Sequence, residues 1–239
     1  MARLVLDRVS MAYPIYNARS QSLRSQLVRV STGGRLAGDA GKPVTVTALD
    51  EVSLEFNDGD AVGLIGHNGA GKTTLLRTMA GIYHPLRGTV TREGSTSTII
   101  EIGAGMDPEL SGYENIIRMG LLLGHGKREM QSRIPDIEDF TELGNFLSMP
   151  VRTYSAGMTM RLMFAVVTSV RPDILLIDEM FGAGDAEFQE KATVRMKSLI
   201  EGAKIFVFAS HSTDLIKRYC KRVFKLEHGR LQEIAMDDI

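Results

Sequence analysis

Gly66-His67-Asn68-Gly69-Ala70-Gly71-Lys72-Thr73 sets a glycine, four residues, a second glycine, then lysine and threonine. This is the pattern of a phosphate-binding loop. Four fixed positions match by chance in about one chain of this length in a hundred, and the surroundings narrow the reading further. Ahead of the loop, Ala61 to Ile65 is an unbroken apolar run, as a parallel strand covered on both faces requires. Behind it, Leu75, Leu76 and Met79 fall at helical spacing, so the pattern predicts a helix over Lys72 to Ile82. Between a buried strand and a helix N-terminus, glycines let backbone N–H groups wrap a phosphate where the helix dipole favours negative charge. Lys72 is placed to reach the β and γ phosphates of ATP, and the Thr73 hydroxyl to ligate Mg²⁺. The nucleotide-binding candidates are thus Gly66, His67, Asn68, Gly69, Ala70, Gly71, Lys72 and Thr73, with Thr74 beside them.

Such a loop needs an acid fixed at the end of a neighbouring buried strand. Asp178 ends the run Ile174-Leu175-Leu176-Ile177, which aims its carboxylate at the metal, and Glu179 follows, placed to orient or deprotonate the attacking water. A further apolar strand, Ile205 to Phe208, is followed by a plausible helix. Strands alternating with helices imply a mostly parallel α/β sheet. Toward the N-terminus, Leu4 to Leu6, Val44 to Val46 and Val52 to Phe56 read as short strands between turn signals such as Asp58-Gly59.

The middle of the chain reads differently. Tyr113 to Leu123, Lys127 to Ile134 and Ile137 to Phe146 are expected to be helices, so 95–160 is taken as a helical lobe inserted between sheet-core segments 1–94 and 161–239. Ile116, Ile117, Leu121 and Leu122 are read as that lobe's core from their spacing. Residues 17–43, rich in Ser, Arg and Gly, are expected to be a surface insertion, with a short helix possible at Ser22 to Val30.

The totals exclude other classes. The chain has 239 residues, 44% of them apolar, enough for one domain with a real core. Lys and Arg number 28 against 29 Asp and Glu, so no strong field favours nucleic acid. The single cysteine, Cys220, has no partner for an internal disulfide, which fits a reducing compartment, and it is expected in a surface helix over Leu215 to Lys221. Met1 to Tyr13 interrupts its apolar residues with Arg3, Asp7 and Arg8, unlike a secretory signal. No apolar run approaches the roughly 20 residues of a membrane-crossing helix, so any membrane role is expected to be peripheral.

Several further residues fall in the order seen in ABC transporter ATPases. Tyr154-Ser155-Ala156-Gly157-Met158 resembles that family's signature motif, usually LSGGQ, despite departures at three of five positions. With Arg161, Leu162, Phe164 and Ala165 after it, the stretch resembles the form in bacterial surface-polysaccharide exporters. Ala183-Gly184-Asp185 resembles the D-loop, His211 the switch histidine at the γ-phosphate, and Tyr13 the aromatic residue that stacks on adenine. The family's usual glutamine near the start of the lobe is missing from Ile100 to Asn115, where Glu101 is the nearest counterpart and a further metal candidate.

The resemblance implies an ABC ATPase fold: a P-loop parallel core, an N-terminal antiparallel β portion and an inserted helical subdomain. It implies two copies closing on two Mg²⁺-ATP, with Ser155, Ala156, Gly157 and Met158 of each capping the γ-phosphate held by the other. Hydrolysis would fall to Lys72, Glu179 and His211. The implied partner is a separate membrane permease dimer at the cytoplasmic face of the plasma membrane, with exported polysaccharide of O-antigen or capsule type as its cargo. An ABC ATPase serving teichoic acid, lipid or drug export, a soluble ABC ATPase, and a non-catalytic ATP-binding module stay open as alternatives.

Overall fold

The computed structural model describes residues 1–15, 36–37, 44–100, 103, 105–179 and 186–239. Glu101, Asp185 and the helix considered over Ser22 to Val30 lie outside the described residues. The chain divides into two units: 1–100, 174–179 and 204–239 form one, and 101–173 and 180–203 the other.

The first unit carries two sheets. β1 (Arg3–Ile15), β2 (Leu36–Ala37), β3 (Val44–Asn57) and, after β4 (Ala61–Ile65), β5 (Arg87–Glu93) supply the antiparallel one, in the order β2-β3-β1-β5. The second sheet holds β4 with β6 (Thr96–Ile99), β7 (Ile174–Asp178), β8 (Ile205–Ala209), β9 (Arg222–Glu227) and β10 (Arg230–Ile234), ordered β10-β9-β4-β8-β7-β6. All its pairings are parallel except β9 with β10. The apolar run of β8 is buried at all five positions and that of β7 at its first four, which is what a central strand under helices demands. This fold is α/β.

Sequence and structure part in several places. The short N-terminal strands are pieces of two long ones, because β1 and β3 continue through bulges near Arg8 and Glu51, both at positive φ, where the apolar alternation breaks. Leu36 and Ala37, inside the expected surface insertion, pair with Val46 and Thr45 of β3. Thr96–Ile99, expected at the start of the lobe, is the edge strand beside β7; its Thr-Ser-Thr-Ile alternates one buried with one half-buried position. Cys220 is buried behind the last turn of its helix rather than exposed, and burial pushes its thiol up to about 12.

The second unit is helical: α2 (Gly112–Leu122), α3 (Lys127–Thr141), α4 (Ala156–Thr168) and α5 (Ala186–Gly202), following α1 (Lys72–Ala80) of the first unit. Its core joins Ile116, Met119, Met130, Ile137, Leu147, Leu162 and Val166. Residues 161–173 and 180–203 thus group with the helices rather than with the sheets. Ser111 and Glu114 close a capping box at the start of α2. α3 runs unbroken through Pro135, where two helices were expected; the ring sits on the exposed side. Leu121 and Leu122, read as core, are 51% and 63% exposed, because the buried stripe of α2 follows Asn115, Ile116, Met119 and Gly120.

Candidate functional site

β4 delivers the chain into the loop at Gly66, and three of its glycines have positive φ: Gly66 (152°), Gly69 (74°) and Gly71 (113°). Two are also sterically required. A Cβ on Gly66 would collide with the Leu226 carbonyl oxygen, and one on Gly71 would come within 2.6 Å of the Ala48 carbonyl oxygen. The loop is therefore pressed against β3 and β9 of its own unit. Gly71 leads into α1 with no side-chain cap and no acidic residue in the first turn, which leaves N–H groups and positive dipole for an anion.

Lys72 is only 8% exposed and curls back under the loop. Its ammonium donates to the Gly66 carbonyl at 2.7 Å and the His67 carbonyl at 3.4 Å, and lies 3.3 Å from His211 Nε2. Burial holds its pKa below the usual lysine value, against the opposing pull of Asp178 and Glu179. An ammonium already stripped of water interacts strongly with any phosphate that reaches it.

The Thr73 hydroxyl donates to Asp178 Oδ2, so the two metal candidates are in contact. Asp178 closes β7, and Glu179 follows at φ 66°, a left-handed conformation costly for a residue with a side chain. The Glu179 N–H donates to the Ala209 carbonyl at 2.9 Å, tying the turn to the end of β8, where His211 follows. His211 Nε2 lies 3.7 Å from Glu179 Oε1, and both side chains are about half exposed. Lys72, Thr73, Asp178, Glu179 and His211 thus converge at the carboxyl ends of three adjacent parallel strands, where α/β sheets bind ligands.

Tyr13, near the end of β1, sits beside this cluster: its hydroxyl lies 3.4 Å from Thr74 Oγ1, and its ring packs edge-on against Tyr83 at 6.1 Å. His67 and Asn68 are on the exposed crest of the loop, with His67 Nδ1 2.8 Å from the Asn68 carbonyl.

A family model described as ABC transporter matches residues 49–182. The chain belongs to the ABC transporter family. An O-antigen export system ATP-binding protein, RfbE of Yersinia enterocolitica, is 67% identical over 99% of both chains. A Klebsiella pneumoniae O-antigen export system ATP-binding protein, RfbB, is 38% identical over 96% of this chain and 92% of its own. The teichoic acids export ATP-binding protein TagH of Bacillus anthracis is 36% identical over 97% of this chain but only 40% of its own. Among solved structures, a dimeric post-hydrolysis state of the ATP-binding cassette MJ0796 bound to ADP and Pi superposes with a TM-score of 0.67 at 20% identity, covering 98% of each chain. An ATP-binding subunit of an ABC transporter gives 0.68 at 23%, over 98% of this chain and 90% of the other. At such identities they establish the shared fold. This protein is an ATP-binding, ATP-hydrolysing subunit of an ABC transporter.

In this ABC ATPase the residues that resemble the signature motif, Tyr154 to Met158, belong to the helical unit. Ser155 caps α4, its hydroxyl accepting the Met158 N–H at 3.2 Å, so Ala156, Gly157 and Met158 form that helix's first turn. Among the described residues nothing but Ser155 Oγ, at 3.8 Å, comes near a Cβ built on Gly157, so their packing does not require glycine there. Among the described residues no group of three or more His, Cys, Asp and Glu could hold a metal. The Thr73 hydroxyl and Asp178 carboxylate are instead the one or two hard oxygen donors that suit Mg²⁺ completed by phosphate and water.

Sequence reasoning missed the residues that hold the loop and its neighbours in place. Ala48, Leu226 and Tyr83 act through a carbonyl position or a ring edge, and no motif or period marks such contacts.

Proposed function

We propose that this subunit powers export of a lipid-linked surface polysaccharide of O-antigen type through a separate membrane permease. The observation that carries the reading is the 67% identity, end to end, with an O-antigen export ATP-binding protein. Among the described residues no helix is long and apolar enough to cross a membrane, consistent with a peripheral place on a permease at the cytoplasmic face of the membrane.

Two copies bind two ATP, each loop facing the other copy's Ser155-Ala156-Gly157-Met158 turn, whose open Gly157 and helix N-terminus suit a γ-phosphate. Tyr13 stacks on the base, and the amides of 66–74 wrap the phosphates. Lys72 leaves the Gly66 carbonyl for the β and γ phosphates. Thr73 and Asp178 would hold Mg²⁺, which when bound would draw off negative charge from the phosphates. Glu179 takes a proton from water as the water oxygen bonds to the γ-phosphorus and the bridging P–O bond to ADP breaks. His211, poised between Lys72 and Glu179, steadies the γ-phosphate.

The test is complementation. A Yersinia enterocolitica strain lacking its own export ATPase should regain surface O-antigen when supplied with this chain, and should not with the Lys72→Ala variant. An active ATPase that assembles with the strain's permease yet restores no surface polysaccharide would sink the cargo reading.

A further inference from the structure

A flat ring recognises a base only if it is held still, and Tyr13 is half-buried near a strand end with supports on two sides. One is Thr74 Oγ1, 3.4 Å from its hydroxyl, at the long end of a hydrogen bond. The other is Tyr83, whose ring meets that of Tyr13 at 70° with centroids 6.1 Å apart. Tyr83 is itself pinned. Arg77 Nη1 donates to its hydroxyl at 2.8 Å, the Arg77 guanidinium carbon lies 5.5 Å from its ring centre, and its own N–H donates to the Arg77 carbonyl at 3.2 Å. Thr74 and Arg77 are one turn apart on α1, the helix that begins at the phosphate loop. One support of Tyr13 thus lies on α1, the helix that carries the phosphate loop, and the other, Tyr83, just past its end, is tied back to it through Arg77, which sets ring and loop in one frame.

We propose that Tyr83, anchored by Arg77, is a positioning residue that sets the Tyr13 ring for stacking on a purine base, so that selection of a base-bearing triphosphate over bare polyphosphate depends on it. The inference rests on reading Tyr13 as the base platform. An edge-on aromatic pair is worth roughly 0.5–1.5 kcal/mol, or about two- to tenfold in an equilibrium constant. Loss of the support should appear in binding of the base and leave phosphate binding alone.

The experiment compares ATP with inorganic tripolyphosphate, by competition, on the full chain. Tyr83→Leu should weaken ATP about three- to tenfold and leave tripolyphosphate within twofold. Tyr83→Trp keeps an aromatic edge and should hold ATP within about threefold. Because the chain has no tryptophan, that variant also carries a single emission signal, which should respond to ATP and not to tripolyphosphate. Equal loss for both ligands in Tyr83→Leu, or no loss, overturns the proposal. Should the leucine variant not fold, a tryptophan signal that responds to both ligands alike does the same. Tyr13→Ala separates the two layers: if it costs ATP nothing relative to tripolyphosphate, the platform reading falls, whereas a loss in Tyr13→Ala with none in Tyr83→Leu removes only the role of Tyr83.

Discussion

The Thr73 hydroxyl donates to Asp178 Oδ2, joining residues 105 positions apart in sequence and linking the start of α1 to the end of β7. Both side chains thereby point at one place before any ion is involved. Thr73→Val keeps the shape and removes the oxygen, so it should lower Mg²⁺-dependent ATP hydrolysis by at least about tenfold, as loss of a charge-assisted contact implies. ATP affinity without Mg²⁺ should change by less than about threefold. Titrating ATP with and without Mg²⁺ checks this; equal loss in both would mean that the hydroxyl supports the loop rather than the metal.

Gly69 and Gly71 share positive φ but not surroundings: among the described residues nothing lies within 4 Å of a Cβ on Gly69, while one on Gly71 meets the Ala48 carbonyl oxygen at 2.6 Å. Gly69→Ala should cost about 1–2 kcal/mol of stability, the left-handed penalty alone. Gly71→Ala should cost distinctly more, because backbone must also move, and should abolish nucleotide binding. Urea unfolding of the two variants ranks them, and an equal cost would show that the close approach to Ala48 relaxes freely.

Arg222 pairs with Glu233 on the neighbouring strand at 2.8 Å and with Asp60 at 3.3 Å. Its hydrogen bonds hold the Glu233 carboxyl below the usual carboxylate range. A carboxylate with a depressed folded-state pKa contributes stability above its unfolded pKa of about 4.3 and loses it as pH falls through the folded value. Glu233→Gln should therefore destabilise by up to about 1 kcal/mol at pH 7, the ceiling for a half-exposed pair. The gap to the parent should close as pH drops below about 4. Unfolding midpoints across that range test it, and a gap that widens toward acid would reverse the assignment.

The phosphate loop was legible because its requirements are local: glycines for left-handed backbone, a lysine and a hydroxyl at fixed offsets, and an apolar strand before them. Asp178 and Glu179 were legible because a fully apolar strand that stops at two acids announces where the sheet ends. Thr96–Ile99 was not, since an edge strand carrying one buried apolar side chain has almost no hydrophobic period. Leu121 and Leu122 misled because leucines extend an apolar pattern whether or not the helix turns them inward, and here the stripe closes on Gly120 against Met130. The positive φ of Glu179 was equally invisible, as no residue type reports that the chain must turn sharply from one strand end to the Ala209 carbonyl of the next.

Glu179 makes the sharpest prediction, because its carboxylate is beside His211 but hydrogen-bonds to neither Thr73 nor Lys72, which hold the phosphate side of the site. Glu179→Gln keeps the volume and the backbone turn while removing the charge proposed to accept the water proton. Binding groups stay in place, so ATP affinity should hold within about threefold while turnover falls at least about a hundredfold, the lower range for loss of a general base. With the γ-phosphate retained, the variant should accumulate as an ATP-bound dimer. Lys72→Ala should behave oppositely, binding ATP weakly and staying monomeric with Mg²⁺-ATP present. Size-exclusion with and without Mg²⁺-ATP, together with the ATPase rate measured in the presence of the permease, distinguishes the two. Near-normal turnover in Glu179→Gln would move the proton-accepting role to His211, whose Nε2 lies 3.7 Å from Glu179 Oε1.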